Sequence, residues 1–304
     1  MEVDARTRLE AEHTTYRIIR QLHDVPPHEV YEIFVEGRRA IYKGDTGPTG
    51  SAGIEGRVIA FLGEQTTVPV PEILDVGEEH YIAAWHSDAP APETGPQADE
   101  TWAYAAGRGL ATLHNETSPL LEKYGQFRPQ NSGITVDGYD EWHIAALNYV
   151  RNYRPTLARY GHADIADLVI EFLNDHPDAF AGVDGPVCCH GWATPEHVSV
   201  IDGEVACMVD FEHAIAAPGE FDYWRTVLPT FDFGDSSEQA FRKGYESIRS
   251  LPEGLLQRKP LYVILDTVYY FESLYVQNQH SPEETAERAE WLRRRVIETV
   301  DELT

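Results

Sequence analysis

The spacing of apolar residues changes character once along this chain, at a proline-rich segment, SDAPAPETGPQAD, from Ser87 to Asp99. Before it the pattern alternates. Val30 to Tyr42 carries Tyr31, Ile33, Val35 and Ile41 around Glu36-Gly37, a hairpin signature for two antiparallel strands. Tyr16 to Leu22 supplies a preceding strand, Glu72 to Val76 and His80 to Trp85 supply two more, and Ile54 to Leu62 fits a helix. Pro69 and Pro71 close the helical unit. After the segment, Thr101 to Leu113, Tyr139 to Tyr160, Ile165 to Leu173, Leu261 to Gln277 and Pro282 to Leu303 repeat at helical spacing. These patterns predict an α+β fold of two lobes: a small antiparallel β-sheet lobe over residues 1–88 and a larger, mostly α-helical lobe over 89–304. Ser87 to Asp99 is then a linker or exposed loop. Two short apolar runs, Pro186 to Cys189 and Val205 to Val209, each end in a polar cluster suited to a cleft.

Composition removes several function classes. The chain carries 51 acids against 24 bases, a net charge of −27, and only four of the bases are lysines. Such a surface resembles that of a halophile's proteins, where concentrated salt screens the self-repulsion. Nucleic acid is excluded as a partner, because a phosphate backbone needs a basic patch. No apolar run reaches the roughly eighteen residues of a membrane span, and the first residues are charged rather than signal-like. The expectation is a cytoplasmic protein with no membrane partner. Cys188, Cys189 and Cys207 are too few and clustered for a disulfide framework. With His190, His197 and His213 they leave a zinc-binding structural protein as a reading from another class, without CxxC or HxxxH spacing to carry it. Glycines at 44, 47, 50, 53 and 56 form no phosphate-binding pattern, and a flexible loop is expected there.

The order of polar residues is more specific. Lys43 ends a strand, Glu55 opens the next helix, HGWATPEH begins at His190 and VDFE at Val209. With LATLH at Leu110 to His114 and APGEFDYW at Ala217 to Trp224, this order resembles the aminoglycoside phosphotransferase and choline kinase-like family over nearly the whole chain. The resemblance implies a protein-kinase-like fold, ATP in the cleft between the lobes, Mg²⁺ with Mn²⁺ as an alternative, and phosphorylation of a hydroxyl on a small-molecule acceptor. It implies that Lys43 reaches the phosphates with Glu55 holding its ammonium, and that Asp210 takes the metal with Glu212 beside it. Lys43 is the only lysine before residue 123 in a chain that otherwise favours arginine, which suits a site needing a compact ammonium.

The sequence departs from the family pattern HGDxxxxN at two positions. Trp192 stands where the aspartate that receives the acceptor proton is expected, and His197 stands where an asparagine assists the metal. General-base catalysis contributes about 10²–10⁴-fold, and an indole cannot supply it. Neutral imidazole does bind divalent ions, though softer ones than Mg²⁺, so His197 stays a candidate ligand. Three readings of Trp192 follow: a working kinase whose base is Glu196 or Glu212, on a loop opened by His190; a pseudokinase that senses nucleotide or ligand with Trp192 plugging the acceptor site; or a local slip of register. A second departure is the loop HDVPPHE, His23 to Glu29, whose two prolines and missing glycine leave few backbone donors for phosphates. The aromatic stripes at Trp142, Tyr149, Tyr153, Tyr269, Tyr270 and Trp291 read as core packing, with a cage for a cationic acceptor as the alternative. His114 reads as a hydrogen-bonded helix-end histidine.

Overall fold

The computed structural model describes residues 5–90, 97–131 and 133–304, so residues 91–96 of the expected linker lie outside the described residues. The chain opens with α1 (Ala5–Glu12), β1 (Tyr16–Val25), β2 (His28–Val35), β3 (Arg38–Asp45), α2 (Ala52–Gln65), β4 (Ile73–Val76) and β5 (His80–Ala84). The five strands form one antiparallel sheet in the order β1-β2-β3-β5-β4. Alternation sorts its faces. Ile33, Val35, Ala40, Tyr42 and Ile82 pack with Ala5 and Leu9 of α1 in one cluster. Tyr81 and Ala83 pack with Ala52, Val58, Ile59 and Leu62 of α2 in the other. Lys43, next to Tyr42, therefore projects on the α2 side. Glu36 and Gly37 turn the β2–β3 hairpin with φ of 48° and 80°, the left-handed pair whose twist matches that of the flanking strands.

Two expectations in this lobe are corrected. The glycine run is a loop only at Gly47 and Gly50: Gly44 belongs to β3, and Gly53 and Gly56 lie within α2. A Cβ on Gly53 would overlap the Glu78 carbonyl, and one on Gly56 would meet the Tyr81 side chain at 2.5 Å, so these glycines let α2 approach the β4–β5 turn and β5. The loop HDVPPHE is also shorter than expected. His23 to Val25 pair in β1, His28 and Glu29 pair in β2, and only Pro26 and Pro27 turn.

The second lobe comprises α3 (Glu100–Thr117), β6 (Tyr124–Gln130), β7 (Gly133–Tyr139), α4 (Trp142–Arg159), α5 (Ala163–Asp175), β8 (Pro186–Cys189), β9 (Val198–Ile201), β10 (Glu204–Met208), β11 (Ile215–Pro218), α6 (Gly219–Thr230), α7 (Ser236–Glu246), α8 (Leu255–Val276) and α9 (Pro282–Leu303). It is mainly helical, as the spacing predicts, and α9 starts at a capping box in which Ser281 and Glu284 satisfy each other's backbone donors. It also holds a four-stranded antiparallel sheet, β7-β6-β11-β8, and the hairpin β9–β10 turning at Asp202-Gly203. The helix expected from Tyr139 begins instead at Trp142, because Tyr139 pairs with Tyr124. No helix among the described residues is long and apolar enough to cross a membrane.

Candidate active site

Three elements bring charge to one point between the lobes. β3 projects Lys43, the first turn of α2 projects Glu55, and the segment after β10 projects Asp210 and Glu212. The Lys43 ammonium lies 2.8 Å from Glu55 Oε2, 2.6 Å from Asp210 Oδ1 and 3.0 Å from Glu212 Oε2. Lys43 and Asp210 are 167 positions apart in sequence, so this contact exists only because the two lobes close on each other. Asp210 has φ of 67°, a left-handed conformation costly for a residue with a Cβ, and here it turns the carboxylate back toward the sheet lobe.

Histidines surround this cluster. His28, just past the β1–β2 turn, reaches across with Nε2 3.1 Å from Glu212 Oε2 and Nδ1 3.1 Å from Asp45 Oδ1. His197 Nε2 lies 3.1 Å from Asp210 Oδ2, while its Nδ1 donates to the Trp192 carbonyl at 3.0 Å. His213 Nε2 sits 3.2 Å from Glu212 Oε1 and 2.8 Å from the Tyr269 hydroxyl.

Electrostatics follow from this crowding. Burial opposes charge on Lys43, yet Asp210, Glu55 and Glu212 hold its ammonium well above the ordinary lysine range. Burial is likewise the leading effect on Glu55 and pushes its carboxyl up to about 7 against the pull of Lys43. Burial works against Asp210 and Glu212 too, but Lys43 keeps both well below the usual carboxylate range, with help from His197 at Asp210 and from His213 and His28 at Glu212. For His28 and His197 burial is outweighed by the adjoining carboxylates, which raise each ring to about 9. One oxygen each of Glu55, Asp210 and Glu212 lies within 4.8 Å of the others, three hard donors gathered on the Lys43 ammonium, of which the partly open Asp210 and Glu212 suit Mg²⁺ or Mn²⁺.

The catalytic-type loop follows β8. A buried strut fixes its start: Asp222 of α6 accepts from the His190 amide at 2.6 Å and the Gly191 amide at 2.8 Å. Asp222 also meets His114 Nε2 at 3.0 Å, and His114 Nδ1 meets the Tyr245 hydroxyl at 2.8 Å. LATLH and APGEFDYW thus meet under the loop, and His114 is more than a helix-end histidine. His190 is fully buried, with Nε2 2.9 Å from the Val209 carbonyl and Nδ1 accepting from the Trp192 amide at 3.2 Å. Burial depresses its pKa to about 4, so the ring is neutral.

Trp192 leans away from the charged cluster onto α8. Its ring lies 5.5 Å from that of Tyr270 and 6.0 Å from that of Tyr269, with the Arg225 guanidinium 5.5 Å from its centre. Arg225 clamps the loop from below, donating to the Gly191 carbonyl at 2.7 Å and to the Tyr149 hydroxyl at 2.7 Å. Its Nε lies 3.4 Å from Asp266. Trp192 Nε1 donates to Glu196 Oε1 at 3.1 Å, and the Thr194 hydroxyl donates to the same oxygen. Glu196 is exposed beside the indole.

The structure thus draws Lys43, Glu55, Asp210, Glu212 and His197 into one cluster and puts Trp192, Glu196 and His190 on the adjoining loop. Sequence reasoning missed His28, Asp222 and Arg225. A histidine inside PPHE carries no signal, whereas Asp222 and Arg225 stood inside or beside a quoted segment without a role. The zinc-site residues do not assemble as a group: among the described residues only Cys189 joins a potential ligand cluster, with His114 and Asp222, where Asp222 already serves the loop amides. Cys188, Cys189 and Cys207 are buried.

Residues 30–261 match the sequence profile of the phosphotransferase enzyme family. No curated protein matches the chain by sequence. Among solved structures, the chain is similar to a protein assigned as a fructosamine-3-kinase from Haemophilus somnus 129PT, with 17% identity and a TM-score of 0.67 over 93% of this chain and 92% of that one. It is also similar to a thermostable mutant of aminoglycoside phosphotransferase APH(4)-Ia in a ternary complex with ADP and hygromycin B, with 14% identity and a TM-score of 0.64 over 98% of each chain. A macrolide 2'-phosphotransferase type I matches with 18% identity and a TM-score of 0.61, over 96% of this chain and 98% of that one. At these identities the solved structures speak to the fold, which is protein-kinase-like.

Proposed function

We propose, from the premise that this chain belongs to the phosphotransferase enzyme family, that it moves the γ-phosphoryl group of ATP to a hydroxyl of a small molecule. The observation that carries this reading is the contact of Lys43 with Asp210 across the two lobes, with Glu55 of its own lobe holding the same ammonium. Phosphoryl transfer needs charge neutralisation and positioning more than covalent chemistry from the protein, and this cluster is built for both. Lys43 binds the nucleotide phosphates while Glu55 keeps its ammonium aimed. Asp210 and Glu212 would hold Mg²⁺ or Mn²⁺, which when bound supplies charge neutralisation at the phosphates, and His197, a cation while it pairs with Asp210, would join as a nitrogen donor only on giving up its Nε2 proton. Nucleotide use is further supported by the ADP in the complex of the APH(4)-Ia relative. We place the lobe boundary after residue 88.

In the transfer the acceptor oxygen bonds to the γ-phosphorus, the bond from that phosphorus to the β,γ-bridging oxygen breaks, ADP leaves, and the acceptor proton passes to a carboxylate. Glu212 is a poor recipient because Lys43, His28 and His213 stabilise its anion and so weaken it as a base. Among the described residues Glu196 accepts only from the neutral donors Trp192 and Thr194, and it is open to solvent, so we assign it the proton. His190 and Arg225 position the loop.

A second reading rests on Trp192, whose packing on Tyr269 and Tyr270 also fits a pseudokinase that binds nucleotide without turnover. ATP binding by calorimetry and ADP release across a panel of hydroxylated acceptors, both in molar salt, separate the two. Binding with acceptor-dependent release supports the kinase. Binding without release, together with activity appearing only in Trp192→Asp, supports the sensor, and absence of ATP binding refutes both.

A further inference from the structure

Away from the cleft, four potential metal ligands converge where the end of α1 meets the outer face of the sheet. Glu12 closes α1, His13 follows it with its amide bonded to the Leu9 carbonyl at 3.0 Å, Asp75 lies on β4 and His80 opens β5. His80 Nε2 is 2.8 Å from Glu12 Oε2, and His13 Nε2 is 3.5 Å from Asp75 Oδ2. Ligand atoms of Glu12, Asp75 and His80 all lie within 4.8 Å of one another. His13 Nε2 is a buried nitrogen with no hydrogen-bond partner, an unusual state for an imidazole beside a carboxylate.

The surroundings hold these groups in place as a metal site requires. The His80 ring stacks on Tyr42 at 5.5 Å and 21°, and a Cβ on Gly77 would overlap its imidazole, so ring and glycine fit face to face. Asp75 Oδ1 accepts from the Val76 amide at 2.9 Å, leaving Oδ2 toward the histidines. Arg8, the nearby cation of α1, is engaged with Glu79 at 2.6 Å and with the Tyr42 hydroxyl. The two imidazoles are 5% and 14% exposed and the two carboxylates 43% and 42%, so the nitrogens form a floor and the oxygens an open rim.

We propose that Glu12, His13, Asp75 and His80 bind a divalent transition metal ion, zinc by the make-up of the donors, that pins α1 to β4 and β5. Two nitrogens and two carboxylate oxygens match a closed tetrahedral zinc site, whose bonds of about 2.0–2.1 Å put neighbouring ligand atoms about 3.3 Å apart. The His80–Glu12 and His13–Asp75 contacts, 2.8 and 3.5 Å, lie on either side of that value, while the mutually close group is Glu12, Asp75 and His80, so His13 closes in as the fourth ligand on binding. The ion links α1 to two strands that already pair with each other, at a junction where Ala5, Leu9 and the Arg8–Glu79 pair also hold the helix, and β5 pairs with the strand bearing Lys43. This inference is independent of the phosphotransferase reading.

The test titrates the full chain, stripped with chelator and dialysed into molar salt, with Zn²⁺ alone. Wild type is compared with the double variant Glu12→Gln/Asp75→Asn and with Asp210→Asn, which weakens the cleft instead. Wild type and Asp210→Asn should share a zinc-binding event that the double variant lacks, with a rise in Tm of roughly 5 °C at free zinc a hundredfold above Kd. Co²⁺ should give the visible bands of a tetrahedral site in the same two proteins only. His13→Gln, a milder change should the double variant fold poorly, should weaken zinc affinity at least tenfold. Equal zinc stoichiometry and Tm response in wild type and the double variant, unchanged affinity in His13→Gln, or loss of the only zinc event in Asp210→Asn would each overturn the proposal and leave two plain histidine–carboxylate ion pairs.

Discussion

The two walls of the cleft differ in kind. On one, Lys43, Glu55, Asp210, Glu212, His28 and His197 stand with opposite charges within 3.1 Å of one another. On the other, Trp192, Tyr269 and Tyr270 present aromatic faces over a buried arginine, with Glu196 the carboxylate at their edge. Phosphate handling depends on net charge at fixed positions and tolerates little change. On the proposed reading, acceptor handling depends on shape and on one proton recipient, which can come from a neighbouring position. The contrast teaches that a substitution on the second wall need not disable the first.

The contrast breaks most severely at Asp210. Asp210→Asn removes charge without changing shape, and turnover should fall on the order of 10³-fold, as expected when a preorganised electrostatic contact is lost. Steady-state kcat/KM for ATP measures this, and an unaffected value would place the phosphates elsewhere. Next comes the other wall: Glu196→Gln should lower kcat about 10²-fold while calorimetric ATP affinity stays unchanged. A full kcat in that variant would assign the acceptor proton to another group.

A third effect concerns the base of the loop. Because burial holds His190 neutral down to about 4, against an ordinary value of 6.5, the unfolded chain binds the extra proton first as the solution acidifies. Stability therefore falls as pH drops through the window from 6.5 toward 4, by about 1.5 kcal/mol between pH 6.5 and 5. Denaturant titrations at both pH values should show this loss, and His190→Gln should reduce it. The same slope in that variant would mean that other groups set the acid limit.

Much of this was legible in the chain. Alternation around Glu36-Gly37 fixed the hairpin, the segment Ser87 to Asp99 marked the change to helical spacing, and the order Lys43, Glu55, Asp210 pointed to groups that meet. What stayed hidden has physical causes. β6 and β7 contain Pro129, Gly125 and Gly138, which erase alternation, and their hairpin is joined to the rest of the sheet only where β11 pairs with Gly125 and Gln126. α7, SSEQAFRKGYE, is polar over most of its surface, and only Phe241 and Tyr245 among its large residues bury fully, so its helical stripe is thin. His28 and Arg225 act through partners 184 and 34 positions away, Glu212 and the Gly191 carbonyl, and no local pattern encodes such pairings.

The smallest expected effect discriminates best between the two walls. Trp192→Phe keeps an aromatic face for Tyr270 but removes the indole donor that holds Glu196 Oε1. A lost hydrogen bond of this kind is worth about 1 kcal/mol, so the acceptor kcat/KM should fall roughly fivefold while ATP affinity is unchanged. If the indole instead plugs the acceptor site, the smaller ring opens space and the same measurement should rise. The sign of the change therefore decides whether the tryptophan serves the proton recipient or obstructs the acceptor, because the charged wall is untouched in either case.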